Sequence, residues 1–545
     1  MRILAGALAD CVHVAGVHHF LALAQRLGHE TLFTGPATDA ESWAEMAREF
    51  QPDVIGVSYR LTPENGRRAL QDFWSIMQAA GLADRTFVFG GTPPVAAVAR
   101  GMGIFAAVFD GSEPTSAVIG YLQGTREDGA AMAPPPQTTL ERIRWKAPYP
   151  LLRHHFGLPA ETVEPTIAGI ARIADAGVLD VISLGADQDA QEHFFRPDLQ
   201  DPKRKGAGGV PLRREADLTR LHAAAQRGNF PLMRSYSGTA DLLRYAEMLR
   251  RTIHNAWCAT SLFWFNAMDG RGPQDLETSI REHQALMTWH GRRSIPVEGN
   301  EPYHWGMRDA PDVISVAASY LYAHNARKAG VQDYITTYMF ESPPLLSNRM
   351  DLAKAMAQIR VAEGFAGGRF RIWRQTRTGL LSYPVDPARA RAHLAESVYL
   401  QMALNPAILH VVGYCEADHA ATADEVIESA TMAQQVIETA LSGQPDMLAD
   451  PIIQERAEEL VSEGLVLIDA IRSRGETDAG DPLNDPVTLA RAVKIGLLDS
   501  PQLQRNRFAQ GKIRVRALDG AVVAVDEENR PISERERIAA VLAQI

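Results

Sequence analysis

Cysteine is nearly absent from this chain: Cys11, Cys258 and Cys415 are the three in 545 residues. Their separations match no metal-ligand spacing and build no disulfide framework, which suits a reducing compartment. Cationic charge is not in excess, with 55 Lys and Arg against 66 Asp and Glu and a net charge of −11. No global field therefore favours nucleic acid or an anionic membrane as partner. No apolar run approaches the roughly 20 residues that a membrane span needs. Asp10 and His13 fall where a secretory apolar region would lie, so a cytoplasmic location is expected. Neither a Gly-x-Gly-x-x-Gly nor a Walker pattern occurs, which argues against nucleotide phosphates held in those ways. Lysine is missing altogether from residues 1–125, so that segment offers no Schiff-base amine.

What remains is an ordinary globular composition, 46% hydrophobic and 22% charged, long enough for two or three domains. Residues 1–125 alternate strand and helix signals at short intervals, with strands expected at Arg2–Ala7, His29–Thr34, Asp53–Val57, Thr86–Phe89 and Ala106–Asp110. Units of this length imply a parallel, doubly wound sheet with its ligand site at the carboxyl ends of the strands. Residues 126–147 contain Pro134-Pro135-Pro136 and read as a stiff linker. Over 148–430 the alternation resumes with longer units. Strands are expected at Pro150–His154, Leu179–Gly185, Pro231–Tyr236, Thr260–Phe265, Ser294–Gly299, Asp333–Phe340, Arg369–Arg374 and Leu409–Tyr414. Eight strands with intervening helices indicate a (β/α)8 barrel, whose chemistry sits in the loops after its strands. Residues 431–545 read as an α+β extension with an acidic helix (Asp450–Arg472) and an Asp519-Gly520 hairpin, packed on the barrel.

Two groups of residues stand out. His13 and Gly16 follow the first strand, 41 residues lie between Gly16 and Ser58, and 31 more lie between Ser58 and Gly90-Gly91. Each alone is what a loop uses for turn geometry. Together with Gly111 they occupy one edge of the expected sheet, and His13 is a candidate metal ligand there. In the barrel, Arg153 and Arg234 at strand ends are candidates for bidentate binding of a carboxylate, against the alternative of surface ion pairs. Tyr236, Glu298 and Glu416 also fall just after strands, near the aromatic stretch Phe263-Trp264-Phe265.

The first segment resembles the cobalamin-binding domain of methionine synthase, methylmalonyl-CoA mutase and glutamate mutase, whose pattern is Asp-x-His-x-x-Gly, about 41 residues, Ser-x-Leu, then Gly-Gly. Such domains are flavodoxin-like. The resemblance implies that His13 binds cobalt, that Asp10 stands behind it, and that Gly16, Ser58, Leu61, Gly90, Gly91 and Gly111 line the cofactor's pocket. Asp10 is three residues before His13 instead of two, and Leu61 three after Ser58 instead of two. From about residue 148 the chain resembles the barrel subunit of glutamate mutase. Pro231-Leu232-Met233-Arg234 is similar to a stretch whose Arg binds a substrate carboxylate, and Arg153 falls near a second substrate arginine. A third is missing where Gly185-Ala186-Asp187-Gln188 stands. Glu416-Ala417-Asp418-His419-Ala420-Ala421-Thr422 is similar to the segment whose Glu holds the adenosyl ribose. The implied protein is an adenosylcobalamin-dependent mutase with both subunits fused, homodimeric, acting on a small acid other than glutamate. Arg153, Arg234, Tyr236 and Glu298 are then its candidate catalytic residues. Corrinoid methyl transfer, or a cobalamin carrier or sensor, are the alternatives.

Overall fold

The computed structural model describes residues 1–113, 115–122, 135–475 and 480–544. It divides into two compact units, Met1–Ala133 and Pro134–Ile545. No helix among the described residues is long and apolar enough to cross a membrane.

The first unit is a five-stranded parallel sheet of β1 (Arg2–Ala7), β2 (Glu30–Phe33), β3 (Val54–Ser58), β4 (Thr86–Gly90) and β5 (Ala107–Phe109), in the order β2-β1-β3-β4-β5. Successive side chains of a strand point to opposite faces, and both faces are buried. Leu4, Ile55 and Phe87 pack under helices Ala40–Phe50, Pro63–Ala79 and Pro93–Met102, against Trp43, Phe73 and Val95. Ile3, Ala5 and Val88 pack on the other side with Val17, Leu21 and Leu122 of helices Ala15–Arg26 and Thr115–Leu122. The helices begin where the sequence provides caps: Asp39 accepts from Ser42 N (2.8 Å), and Thr62 precedes Pro63 and accepts from Asn65 N (3.3 Å).

In the second unit β6 (Leu151–Phe156), β7 (Val181–Leu184), β8 (Leu232–Ser235), β9 (Cys258–Thr260), β10 (Val297–Gly299), β11 (Asp333–Phe340), β12 (Arg371–Thr378) and β13 (Ile408–His410) form one parallel sheet, with β13 pairing back onto β6. The sheet curls into a nearly closed barrel. Its seam lies between β8 and β9, where Ala256 N donates to Met233 O (2.8 Å). Part of the expected linker lies outside the described residues, and its later part is a helix, Thr139–Lys146, that floors the barrel. Thr139 Oγ1 donates to Ala256 O (2.7 Å) and the buried Arg142 to Phe230 O (2.9 Å). Ile143 joins Leu151, Val181, Leu232, Trp257, Ile335 and Ile408 in an apolar plug.

Three expectations need correction. The fourth barrel strand is Cys258–Thr260, not Thr260–Phe265. The apolar run Leu262–Phe265 does not pair as a strand because the N–H groups of Leu262 and Phe263 are taken by the Glu301 carboxylate (2.6 and 3.0 Å) and Phe265 sits at φ +70°. The barrel also runs past residue 430, since its last helix is Ala423–Leu441, capped by Thr422 and Glu425. The last strand ends at His410 rather than Tyr414, and Gly413 N is claimed by Glu416 (2.7 Å). Beyond the barrel, helix Pro451–Arg472 packs Ile453 and Leu460 against Val313 and Leu352. β14 (Val515–Leu518) and β15 (Ala521–Ala524) form a hairpin whose turn, Asp519-Gly520, has φ +49° and +78°, the left-handed pair that a two-residue hairpin demands.

Candidate functional site

The first unit holds a cavity of about 440 Å³ that opens at the carboxyl ends of β1, β3, β4 and β5. His13, Gly16, Ser58, Gly90, Gly91 and Gly111 all line it, so the residues singled out by spacing converge on one hollow. Its walls continue along the sheet face as Ala5, Gly56 and Val88, opposite Phe20 and Leu23 of the first helix. Gly56 keeps the floor low, because a Cβ there would come within 2.9 Å of the Ala5 side chain. Gly91 is forced by backbone crowding: a Cβ would stand 2.4 Å from Tyr59 O. Gly90 and Gly16 have no atom within 4 Å of a would-be Cβ and face open space.

Two residues of the expected set behave differently. The Asp10 carboxylate does not back His13; it accepts the Tyr59 hydroxyl at 2.9 Å. Cys11 N bonds to Leu8 O (3.1 Å), closing a turn across Asp10 with Ala9 at φ +57°. Burial, reinforced by the bond to Asp10, pushes the Tyr59 phenol up to about 12, so it stays a donor at neutral pH. The exposed His13 ring has Cys11 Sγ at 4.0 Å from Nδ1. Leu61 is 39% exposed and does not line the cavity; Arg60 does.

The second unit brings Arg153, Arg234, Tyr236 and Glu298 together inside the barrel. Arg153 and Arg234 are 1% exposed and Glu298 is fully buried. Glu298 lies between them, its carboxylate 3.2 Å from Arg153 Nη2 and 3.7 Å from Arg234 Nη2, and it accepts Trp257 Nε1 at 2.5 Å. Burial alone would raise the Glu298 carboxyl; the two guanidinium groups overcome this and hold it below its usual range. Burial, then repulsion from Arg234, brings Arg153 down to about 9. The two arginines differ in how they are spent. Arg153 donates to Gln375 (2.7 Å), Ser183 (2.9 Å) and Glu298. Arg234 donates Nε to Ser183 (3.0 Å), while its Nη1 and Nη2 make no hydrogen bond among the described residues. Arg234 Nη2 therefore meets Glu298 only as an ion pair at 3.7 Å, and Nη1 has no hydrogen-bond acceptor among the described residues.

Several residues of this site were not singled out by the sequence. His155 stacks on Tyr236 (5.2 Å) and meets its hydroxyl at 3.1 Å; His410 contacts the His155 ring edge-on at 4.8 Å. Burial first, then the nearby arginines, pushes both imidazoles well below their usual range, so both are neutral at pH 7. Both His410 nitrogens lack a partner among the described residues, as do both of His304, which sits against Phe265 and Tyr303. Arg377, near the end of β12, lies over the Tyr303 ring at 5.5 Å. The available signal was period-2 alternation: Arg153 and His155 share a face of β6, and His410 stands opposite Arg153 in register. Glu416 sits beside the buried His154, Oε1 to Nε2 at 3.1 Å; burial raises its carboxyl, and the contacts with His154 and the Gly413 N–H bring it below its usual range.

No family model matches the sequence, and no curated protein does. Among solved structures, a cobalamin-binding protein from Desulfitobacterium hafniense DCB-2 aligns with 23% of this chain and 58% of its own at 19% identity and a TM-score of 0.20. A rubisco-like protein from Burkholderia fungorum aligns with 60% of this chain and 70% of its own, at 15% identity and a TM-score of 0.36. The cobalamin-dependent S-adenosylmethionine radical enzyme OxsB aligns with 80% of this chain and 56% of its own, at 10% identity and a TM-score of 0.18. The chain thus spans a little over half the length of the first and third. At these scores none of the likenesses assigns a fold or a family to the chain.

Proposed function

We propose that this chain is an adenosylcobalamin-dependent carbon-skeleton isomerase of glutamate-mutase type, acting on a small carboxylic acid other than glutamate. The observation that carries the reading is the cavity of the first unit, on which His13, Gly16, Ser58, Gly90, Gly91 and Gly111 converge. The strand order β2-β1-β3-β4-β5 is that of flavodoxin-like sheets, which bind cofactors at this edge. The residues fit the group: an exposed imidazole beside the cavity can ligate cobalt, and the open space at Gly16 and Gly90 adjoins a hollow of about 440 Å³ that could take a nucleotide tail. Bound there, adenosylcobalamin supplies an organic radical by cleavage of its cobalt–carbon bond.

The barrel's own residues do the rest. Arg234 would bind the substrate carboxylate through Nη1 and Nη2, neither of which makes a hydrogen bond among the described residues, and Glu298 offsets the charge that the paired arginines bring into the interior. The apolar plug closes the floor, which keeps water from a reactive intermediate. Tyr236 and the neutral His155 share a hydrogen bond (3.1 Å), which orients the phenol hydroxyl in the barrel interior. The substrate differs from glutamate because Asp187, in the stretch where a third carboxylate-binding arginine would stand, is bound to Arg213 (2.7 Å). Glu416, held by His154 and Gly413 N, would accept from a ribose hydroxyl of the cofactor. The test is anaerobic reconstitution with adenosylcobalamin, followed by electron paramagnetic resonance during incubation with a panel of small mono- and dicarboxylic acids. A substrate-dependent signal of coupled unpaired spins supports the reading. Methyl transfer without any such signal moves the chain to corrinoid methyltransfer, and cobalamin binding with neither activity makes it a carrier or sensor.

A further inference from the structure

The turn after β13 gathers a second set of ligating atoms. One atom each from Cys415, His419 and Glu425 lies within 4.8 Å of the others. The backbone explains why: Asp418 N and His419 N both donate to Cys415 O (2.9 and 3.0 Å), so the chain folds back and brings His419 over Cys415. Glu425 is the third residue of helix Ala423–Leu441. Its Oε2 accepts Thr422 N and Oγ1 (both 2.8 Å), which leaves Oε1 aimed at His419 Nε2, 2.9 Å away. The other ring nitrogen, Nδ1, is bonded to Asp418 Oδ2 at 2.8 Å. A carboxylate behind the far nitrogen is the arrangement that orients metal-bound histidines.

The geometry points to a site for a divalent transition metal, zinc by chemical preference, with Cys415 Sγ, His419 Nε2 and Glu425 Oε1 as ligands, Asp418 orienting the imidazole, and a fourth position left to water. A mixed sulfur, nitrogen and oxygen set suits the borderline-soft zinc ion. Bonds of about 2.0–2.3 Å in a tetrahedron put ligand atoms about 3.3–3.8 Å apart, so the widest separation must close by about 1 Å while the His419–Glu425 pair, at 2.9 Å, opens by about 0.5 Å. The metal ties the loop carrying Glu416 to the start of the barrel's last helix.

The test is titration of the metal-free full chain with Co2+, whose thiolate charge-transfer band in the near ultraviolet and intense visible bands report a tetrahedral sulfur site. One equivalent is expected to bind and to be displaced by Zn2+. Cys415→Ser should abolish the charge-transfer band, and so should the surface change His419→Gln at micromolar metal; Asp418→Asn should weaken binding about 10–100-fold. Cys11→Ser should leave the band intact, which excludes the other cysteine–histidine neighbours, Cys11 and His13. Binding without a thiolate band, a band that survives Cys415→Ser or His419→Gln, or no binding at micromolar Co2+ would overturn the assignment.

Discussion

Glu298→Gln isolates the charge balance of the barrel interior. The carboxylate lies 3.2 Å from one guanidinium and 3.7 Å from the other, all three groups being at most 1% exposed. At an effective dielectric constant of about 20, Coulomb's law gives about 5 kcal/mol of attraction to each. Desolvation and the mutual repulsion of the arginines offset much of it, and removing one partner of a buried pair costs about 3–5 kcal/mol. Glutamine keeps the shape and can still accept from Trp257, so the loss reports the charge. The Glu298 carboxyl is depressed in the folded state. Its contribution is therefore fully present above the unfolded value of about 4.5 and is lost as pH falls through the lower folded value. Guanidinium unfolding followed by near-ultraviolet circular dichroism should show the full penalty at pH 7 and a shrinking one below pH about 4. Adding Arg234→Met to Glu298→Gln removes an uncompensated cation and should restore at least about 1 kcal/mol. A single variant within about 1 kcal/mol of the parent at pH 7, or a double variant less stable than the single, would refute the reasoning.

Other perturbations separate the two sites. Arg234→Met should raise KM for the carboxylic acid substrate by about 10–100-fold, the worth of a lost charged hydrogen bond, in steady-state kinetics. Gly90→Val should leave the melting temperature nearly unchanged but weaken cobalamin binding at least about tenfold, as followed by difference absorption. Gly91→Ala should lower the melting temperature, because its Cβ would meet Tyr59 O at 2.4 Å. Asp10→Asn should leave cobalamin affinity within about twofold, because Asp10 is bonded to Tyr59 and not to His13.

How much was legible in the sequence depended on whether local signals decided the outcome. The first unit's β1, β3 and β4 could be read because both of their faces are buried, which makes each a short apolar run between loops. β11, buried at all eight residues, was readable for the same reason. β9 was not, because the aromatic run after it has strand propensity and nothing local reveals that Glu301, 38–39 residues away, claims the backbone N–H groups of Leu262 and Phe263. The glycines, Ser58 and His13 were legible from spacing, since strand lengths and loop lengths fix which residues reach the sheet edge. Asp10 was not, because its partner is chosen by a turn and by Tyr59, 49 residues on. In the barrel, charged residues at strand ends gave Arg153, Arg234 and Glu298. His410 and Gln375 belong to the same interior but needed the register of β12 and β13 to place them.

The central claim is that His13 binds the cobalt of a cofactor held by the first unit. The most direct measurement is electron paramagnetic resonance of protein-bound cob(II)alamin, prepared once with ordinary protein and once with protein whose histidines carry nitrogen-15. Ligation by His13 predicts a nitrogen triplet that becomes a doublet on labelling and disappears in His13→Ala. A triplet unchanged by the label would mean that the cofactor keeps its own base, and would contradict the account.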